Sequence, residues 1–166
     1  KTVTGQLNLS GTPLHPLNRR SAEFEFTRID LNNFAAVEQA PIVFVCENNG
    51  WAISTPLDKQ TGNEVLATRG LGFGVRSLRV DGNDILAMMV ATDEACRRAR
   101  AGEGPTLIEA VTYRMSLHTT ADDPTVYRDD SLVDAWQQRC PIARFETYLA
   151  NKNLLTREQA DEVRTS

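Results

Sequence analysis

The stretch Ile42-Val43-Phe44-Val45-Cys46-Glu47-Asn48-Asn49-Gly50 decides the fold of this chain. Its first five residues form a continuous apolar run, which is typical of a parallel strand covered on both faces. The run stops at Asn48-Asn49-Gly50, a sequence that favours a turn. Because α/β sheets place ligands at the carboxyl ends of their strands, this turn is also the first candidate position for a functional site.

Two further strands and one helix are predicted downstream. Residues 75–80 and 106–111 read as strands, and between them lies a helix that ends near Gly102. The order strand, helix, strand implies a right-handed parallel crossover. We therefore expect an α/β fold, a partial parallel sheet of about three strands flanked by helices. The apolar face of the predicted helix consists of Ile85, Met88, Met89, Cys96 and Ala99.

The remaining segments are predicted as short helices and loops. A helical face spans residues 31–37, and residues 55–75 form a glycine-rich loop with a short helical piece near residues 63–67. Residues 116–130 are polar and too long for a simple connection, which favours a functional loop. Helices are expected around residues 132–138 and 142–149, and Thr156 with Gln159 forms a capping-box pattern for another.

Composition excludes several classes of function. The 22 acidic and 18 basic residues give a net charge of -4 without a basic stripe, so no nucleic-acid partner is expected. No apolar run is long enough for a membrane span, and no apolar stretch of signal-peptide length occurs near Lys1. The three cysteines are far apart and lack CxxC spacing, which argues for reduced thiols rather than disulfides or zinc. These features predict a cytoplasmic protein.

Four blocks of sequence resemble one family. In the order and spacing of the family they are IVFVCENNGWAISTP at residues 42–56, RVDGND at 79–84, GEGPTLIEA at 102–110, and TYR at 112–114 followed by HTTADDPT at 118–125. This pattern is similar to the carboxyl-terminal half of the alpha subunit of thiamine-diphosphate-dependent 2-oxoacid dehydrogenase E1 components, of the branched-chain and pyruvate type. The resemblance covers roughly residues 33–160. It implies about half of a thiamine-diphosphate-binding domain.

The resemblance implies a set of site residues. Magnesium would be held by the cofactor's diphosphate, an acidic residue, the Asn49 side chain and the Trp51 backbone carbonyl, in keeping with its preference for oxygen ligands. Ile53 would also line the cofactor, and Arg114 would bind the diphosphate through its fork of donors. His118 would be the catalytic histidine of the active-site loop. Taken singly, these residues are more typical of a simple turn at Asn49, a strand-end surface cation at Arg114 and a solvated loop histidine at His118.

The sequence departs from the family at the acidic metal ligand. Asn33-Phe34-Ala35-Ala36-Val37 matches the family without a gap to Asn49, and counting back about thirty residues from there reaches Arg20. A cation therefore stands where the acidic ligand is expected. We interpret residues 1–30 as a divergent amino-terminal segment without family resemblance, and residues 31–166 as a truncated E1-alpha-like domain.

Two functional hypotheses follow. In the first, the chain belongs to an enzyme that uses thiamine diphosphate and magnesium. With an E1 beta subunit it decarboxylates a branched-chain 2-oxoacid and passes the acyl group to lipoamide on a lipoyl-bearing E2 component. In the second, it is a noncatalytic module that folds, oligomerises or binds a partner. We expect the chain alone to be inactive. We also expect it to self-associate, because it has too few helices to cover its sheet.

Overall fold

The computed structural model describes residues 32–165. Helix α1 covers residues 32–37 of this part and is followed by strand β1, a short hairpin of β2 and β3, and helix α2. A crossover unit of β4, α3 and β5 comes next, and three helices complete the described part. The bounds are β1 Val43–Asn48, β2 Trp51–Ala52, β3 Thr55–Pro56, α2 Thr68–Leu71, β4 Arg76–Asp81, α3 Ile85–Arg100, β5 Thr106–Val111, α4 Asp130–Gln137, α5 Pro141–Asn151 and α6 Arg157–Thr165.

The main sheet has three parallel strands in the order β1-β5-β4. In the middle of the sheet, Ile108 of β5 lies beside Val45 on one side and Leu78 on the other. The last of the three strands in sequence is thus the central one, and its Ile108 is fully buried. The prediction of an α/β fold with about three parallel strands and flanking helices is confirmed.

One face of the sheet is covered by α3. Ala91, Ala95 and Ala99 are its buried residues and recur at four-residue spacing, which lets the helix backbone approach Ile108 closely. The predicted apolar face was wrong in one respect, since Met89 is 61% exposed. The prediction was based mainly on large apolar side chains, whereas small alanines occupy the centre of the buried face of α3.

Helix α3 begins and ends as its sequence predicts. The Asp84 side chain accepts a hydrogen bond from the backbone N–H of Ala87 at 3.0 Å and so caps the amino terminus. Gly102, just beyond the helix, has a φ of +72°, a conformation that glycine adopts without a steric penalty. The capping box is also present at α6, where Thr156 and Gln159 each accept the other's backbone N–H.

Two other local predictions were wrong. Strand β1 is not covered on both faces, because Val45 is 58% exposed where α3 does not extend over it. The helical piece expected at residues 63–67 is absent there, and α2 begins only at Thr68. The Asn63 side chain accepts the backbone N–H of Val65 at 3.0 Å, a local turn that competes with helix formation.

Residues 32–165 contain all three cysteines, which were predicted to be reduced, and were predicted to contain no membrane span. Cys46, Cys96 and Cys140 are all free thiols. No helix in this part of the chain is both long and apolar enough to cross a membrane. The division into residues 1–30 and 31–166 stays a prediction, since the whole first segment lies outside the described residues.

Candidate functional site

The turn after β1 is held by the side chain of Asn48, which is buried. Its amide nitrogen donates to Glu109 Oε1 at 2.7 Å, and its amide oxygen accepts the backbone N–H of Gly50 at 3.2 Å. Gly50 has a φ of +81°, in the left-handed region that favours glycine. The turn predicted from Asn48-Asn49-Gly50 therefore forms, and it is anchored in the core.

Strand pairing brings Asn49 and Arg114 to the same edge of the sheet. The ladder between β1 and β5 continues past both strands, with the N–H of Thr112 donating to the Asn48 carbonyl at 2.9 Å and that of Arg114 to the Asn49 carbonyl at 3.1 Å. The Asn49 side chain accepts the N–H of Trp51 at 3.0 Å. Three predicted residues from two separate sequence blocks are thus linked at the carboxyl edge.

Ile53 is connected to the same cluster through its backbone. Arg114 Nη2 donates to the Ile53 carbonyl at 2.5 Å and to the Tyr127 hydroxyl at 3.1 Å. Ile53 has a φ of +56°, which is uncommon for a β-branched residue and stores backbone strain. The Nε of Arg114 is buried and has no hydrogen-bond partner in the described part of the chain. The guanidinium therefore retains a donor that an anion would satisfy.

A row of aromatic rings supports the cluster. The Trp51 ring lies 5.2 Å from that of Tyr127 and 6.4 Å from that of Tyr113, and Tyr113 stacks on Trp136 at 5.4 Å between ring centroids. Such pairs contribute on the order of 1 kcal/mol each beyond their buried area. Sequence reasoning missed this row. The one signal available was that Tyr113 and Tyr127 flank the polar loop.

His118 lies in that loop, and its backbone makes the hydrogen bond that joins it to the cluster. Its N–H donates to Asp122 Oδ2 at 2.9 Å, and the Tyr127 hydroxyl donates to the same oxygen at 2.7 Å. Within residues 32–165, no hydrogen bond joins the His118 imidazole to Asn49 or Arg114. The loop is thus tied to the guanidinium through Tyr127 and Asp122, while the imidazole stays exposed.

Asp122 and Tyr127 shift each other's acidity. The hydrogen bond from the Tyr127 hydroxyl, followed by that from the His118 N–H, lowers the pKa of Asp122. The same hydrogen bond raises the pKa of Tyr127, because it favours the protonated phenol. Near neutral pH the pair is therefore a carboxylate and a neutral phenol.

Removing the Tyr127 hydroxyl is expected to raise the pKa of Asp122 towards its ordinary value of about 3.9. The pKa of Asp122 is lower in the folded than in the unfolded chain, so its hydrogen bond with Tyr127 stabilises the loop at pH values above the unfolded-state pKa. This stabilisation is lost as the pH falls through the folded-state pKa. An NMR titration that follows the Asp122 carboxyl carbon measures the pKa of Asp122 in Tyr127→Phe. Tyr148→Phe, in α5, is the matched control. Equal midpoints in the unmodified chain and Tyr127→Phe would contradict the assignment.

The described residues fit part of a magnesium diphosphate site. The Asn49 amide and the Trp51 carbonyl offer hard oxygens, and Arg114 offers a guanidinium with a spare donor. No group of three or more histidine, cysteine, aspartate or glutamate residues that could hold a metal occurs within residues 32–165. Arg20, predicted to replace the acidic ligand, lies outside the described residues.

Known proteins are similar to this chain over most of its length. The family model described as "Dehydrogenase E1 component" matches residues 29–166. The pyruvate dehydrogenase E1 component subunit alpha of Acholeplasma laidlawii is 54% identical over 128 residues, which are 76% of this chain and 37% of that protein. The 3-methyl-2-oxobutanoate dehydrogenase subunit alpha of Mycobacterium tuberculosis (strain ATCC 25618 / H37Rv) is 51% identical over 131 residues, 79% of this chain and 36% of that protein. The chain thus spans little more than a third of the length of these relatives.

Proposed function

The chain belongs to the dehydrogenase E1 component family, and from this premise we propose that it is the carboxyl-terminal part of the cofactor-binding domain of an E1 alpha subunit. The complete enzyme would use thiamine diphosphate and magnesium to decarboxylate a 2-oxoacid of the branched-chain type in the cytoplasm. It would pass the acyl group to lipoamide on E2. The observation that supports this most is the backbone link between Asn49 and Arg114, which gathers oxygen ligands and a guanidinium at the carboxyl edge of the sheet.

Each residue has a proposed role at that edge. Asn49 Oδ1 and the Trp51 carbonyl would bind magnesium. The amide oxygen has two lone pairs, so it can keep the Trp51 N–H while it binds the ion. Arg114 would bind the diphosphate, and Ile53 would lie against the cofactor. Thiamine diphosphate, when bound, supplies the carbanion chemistry. The His118 imidazole, exposed on its loop, would hold or transfer a proton near the 2-oxoacid.

We further propose that this chain does not carry out the reaction alone. The acidic magnesium ligand is replaced by Arg20 in the sequence register, and an E1 beta subunit would contribute the other side of the cofactor site. A single cation can attract the diphosphate but cannot complete the octahedral coordination of magnesium. The chain therefore supplies part of a site.

A chimera tests whether that part is functional. In the Acholeplasma laidlawii subunit, the matching 128-residue segment is replaced by that of this chain, so that the rest of the relative supplies the missing ligand. With its own beta subunit the chimera is expected to bind thiamine diphosphate with magnesium and to decarboxylate pyruvate. Asn49→Ala and Arg114→Ala should each weaken cofactor binding about 10- to 100-fold, as expected when a charge-assisted contact is lost.

Arg76→Ala is the matched control for the chimera. Arg76 is exposed at the amino end of β4, at the opposite edge of the sheet, so its loss should leave cofactor binding unchanged. A folded chimera that binds no cofactor would contradict the proposed function. A chimera that binds the cofactor equally well without the Arg114 guanidinium would contradict the role of that residue.

An alternative function is a noncatalytic module that pairs with a second copy or with an E1 or E2 partner. The observation that favours it is the exposure of large apolar side chains on the sheet and on α3, among them Val45 at 58% and Val90 at 71%. Both functions are compatible with the fold. Cofactor binding by the chimera distinguishes them, because a purely structural segment would not restore it.

A further inference from the structure

Glu109 is a fully buried carboxylate in the middle of the central strand. Its neighbour Ile108 packs against the alanines of α3, and successive side chains of a strand point to opposite faces. Glu109 therefore points to the other face. There it accepts hydrogen bonds from the Asn48 amide at 2.7 Å and from the backbone N–H of Ala67 at 2.8 Å. Burying a carboxylate is costly unless it is paired in this way.

These contacts join the turn of the candidate site to the loop that precedes α2. Asn48 directly precedes Asn49, and Ala67 ends the long loop that leads into α2. The Nε of Arg79 also lies 3.5 Å from Glu109 Oε1, with the arginine side chain 45% exposed and the glutamate fully buried. The two hydrogen bonds are the shorter contacts of the carboxylate, at 2.7 and 2.8 Å.

We propose that Glu109 is a positioning residue that fixes the Asn49-Gly50 turn through the side chain of Asn48. Its link to cofactor binding rests on the proposed function, whereas its effect on the turn does not. The carboxylate orients the Asn48 amide nitrogen inwards, which turns the amide oxygen towards the Gly50 N–H. Glu109 thus anchors the left-handed turn to the core of the sheet. The turn in turn fixes the positions of the Asn49 side chain and the Trp51 carbonyl.

Counting donors and acceptors predicts what Glu109→Gln does. Three donors share this network: the Asn48 amide and the N–H groups of Ala67 and Gly50. A glutamine at position 109 offers one acceptor oxygen where the carboxylate offers two. If that oxygen faces Asn48, the Ala67 N–H loses its acceptor. If it faces Ala67, the Asn48 amide must flip, and the Gly50 N–H loses its acceptor instead.

Reversing the polarity of the pair restores every acceptor. In the double variant Asn48→Asp with Glu109→Gln, the glutamine NH₂ donates to the new aspartate, and its oxygen accepts the Ala67 N–H. The second aspartate oxygen still accepts the Gly50 N–H. The double variant keeps one buried negative charge and moves it from position 109 to position 48. Asn48→Asp alone instead sets two carboxylates face to face, which is unfavourable.

Hydrogen exchange of the Gly50 and Ala67 amides, followed by NMR in the full 166-residue chain, tests the pairing without any cofactor. Glu109→Gln should raise exchange of at least one of the two amides about tenfold or more, beyond the change in global stability. The double variant should return both to within about threefold of the unmodified chain. Ile108→Val, the neighbouring core residue on the opposite face, should affect neither amide selectively.

Cofactor affinity measured in the chimera tests the positioning role. Glu109→Gln should weaken binding of thiamine diphosphate with magnesium about tenfold or more, and the double variant should recover most of it. A double variant that does not fold, or that leaves the amides unprotected, overturns the proposal. Recovered amide protection with no recovery of affinity overturns the positioning role. If the parent chimera folds but does not bind the cofactor, the proposed function is contradicted instead. The hydrogen-exchange result for Gly50 and Ala67 would still stand.

Discussion

The purified chain, without any partner, is expected to show no saturable binding of thiamine diphosphate with magnesium below about 1 mM and no decarboxylation of a 2-oxoacid. Magnesium favours anionic oxygen ligands in octahedral geometry, whereas the sequence register predicts an arginine, Arg20, at the position of the acid. Like charges repel at ligand distance. The two residues proposed to bind the ion, Asn49 and Trp51, offer it neutral amide and carbonyl oxygens.

Isothermal titration calorimetry with Arg20→Asp checks this reasoning. The new carboxylate should tighten magnesium-dependent binding several-fold, whereas Arg19→Asp makes the same charge change one residue away and should have no comparable effect. Activity should stay absent in both variants, since the other side of the proposed cofactor site is not supplied. Tight binding by the unmodified chain that is lost in Arg20→Asp would show that the register or the electrostatic argument is wrong.

The purified chain is also expected to dimerise at high micromolar concentration. Val45 faces the same side of the sheet as Ile108, but α3 does not cover it, and Met89 and Val90 are exposed on α3 itself. Burying such side chains contributes about 25 cal/mol per Å² of apolar surface. A second copy with twofold symmetry would cover them most simply.

Sedimentation velocity measures the dimer directly. Val45→Lys should weaken association about tenfold or more, because it would bury an unpaired charge at the open face of the sheet. Val126→Lys provides the control, since Val126 is 81% exposed in the loop and away from the sheet. A clean monomer at the same concentration in the unmodified chain would contradict the prediction.

The sequence predicted the strands well because their apolar runs are local. The bounds of β5 agree with the prediction at both ends, but β1 runs on to Asn48, two residues beyond its apolar run. That extension depends on pairing with β5, where Asn48 lies opposite Val111. An apolar pattern carries no information about a partner more than sixty residues away. The interior of β1 was therefore predictable, whereas its carboxyl end was set by the sheet.

The candidate site was predictable only in part for the same reason. Asn49, Ile53 and Arg114 followed from sequence blocks that resemble a family. The fold links the backbones of Asn49 and Arg114 and brings the Arg114 guanidinium to the Ile53 carbonyl. The aromatic row and the role of Glu109 were not foreseen, because each depends on contacts between segments far apart in the chain. A glutamate within an apolar strand is a visible irregularity, yet its partners Asn48 and Ala67 cannot be identified before the strands are paired.

The strand order also implies an order of assembly. β4, α3 and β5 form a continuous crossover unit whose contacts are comparatively local, whereas β1 must wait for β5, about sixty residues later in the chain. Within the described sheet β1 has one neighbour and can detach without breaking that unit. The turn at Asn49 leaves with it, while Arg114 stays with β5. We therefore expect the candidate site to be completed by the last strand to join and to be the first feature lost when that edge opens.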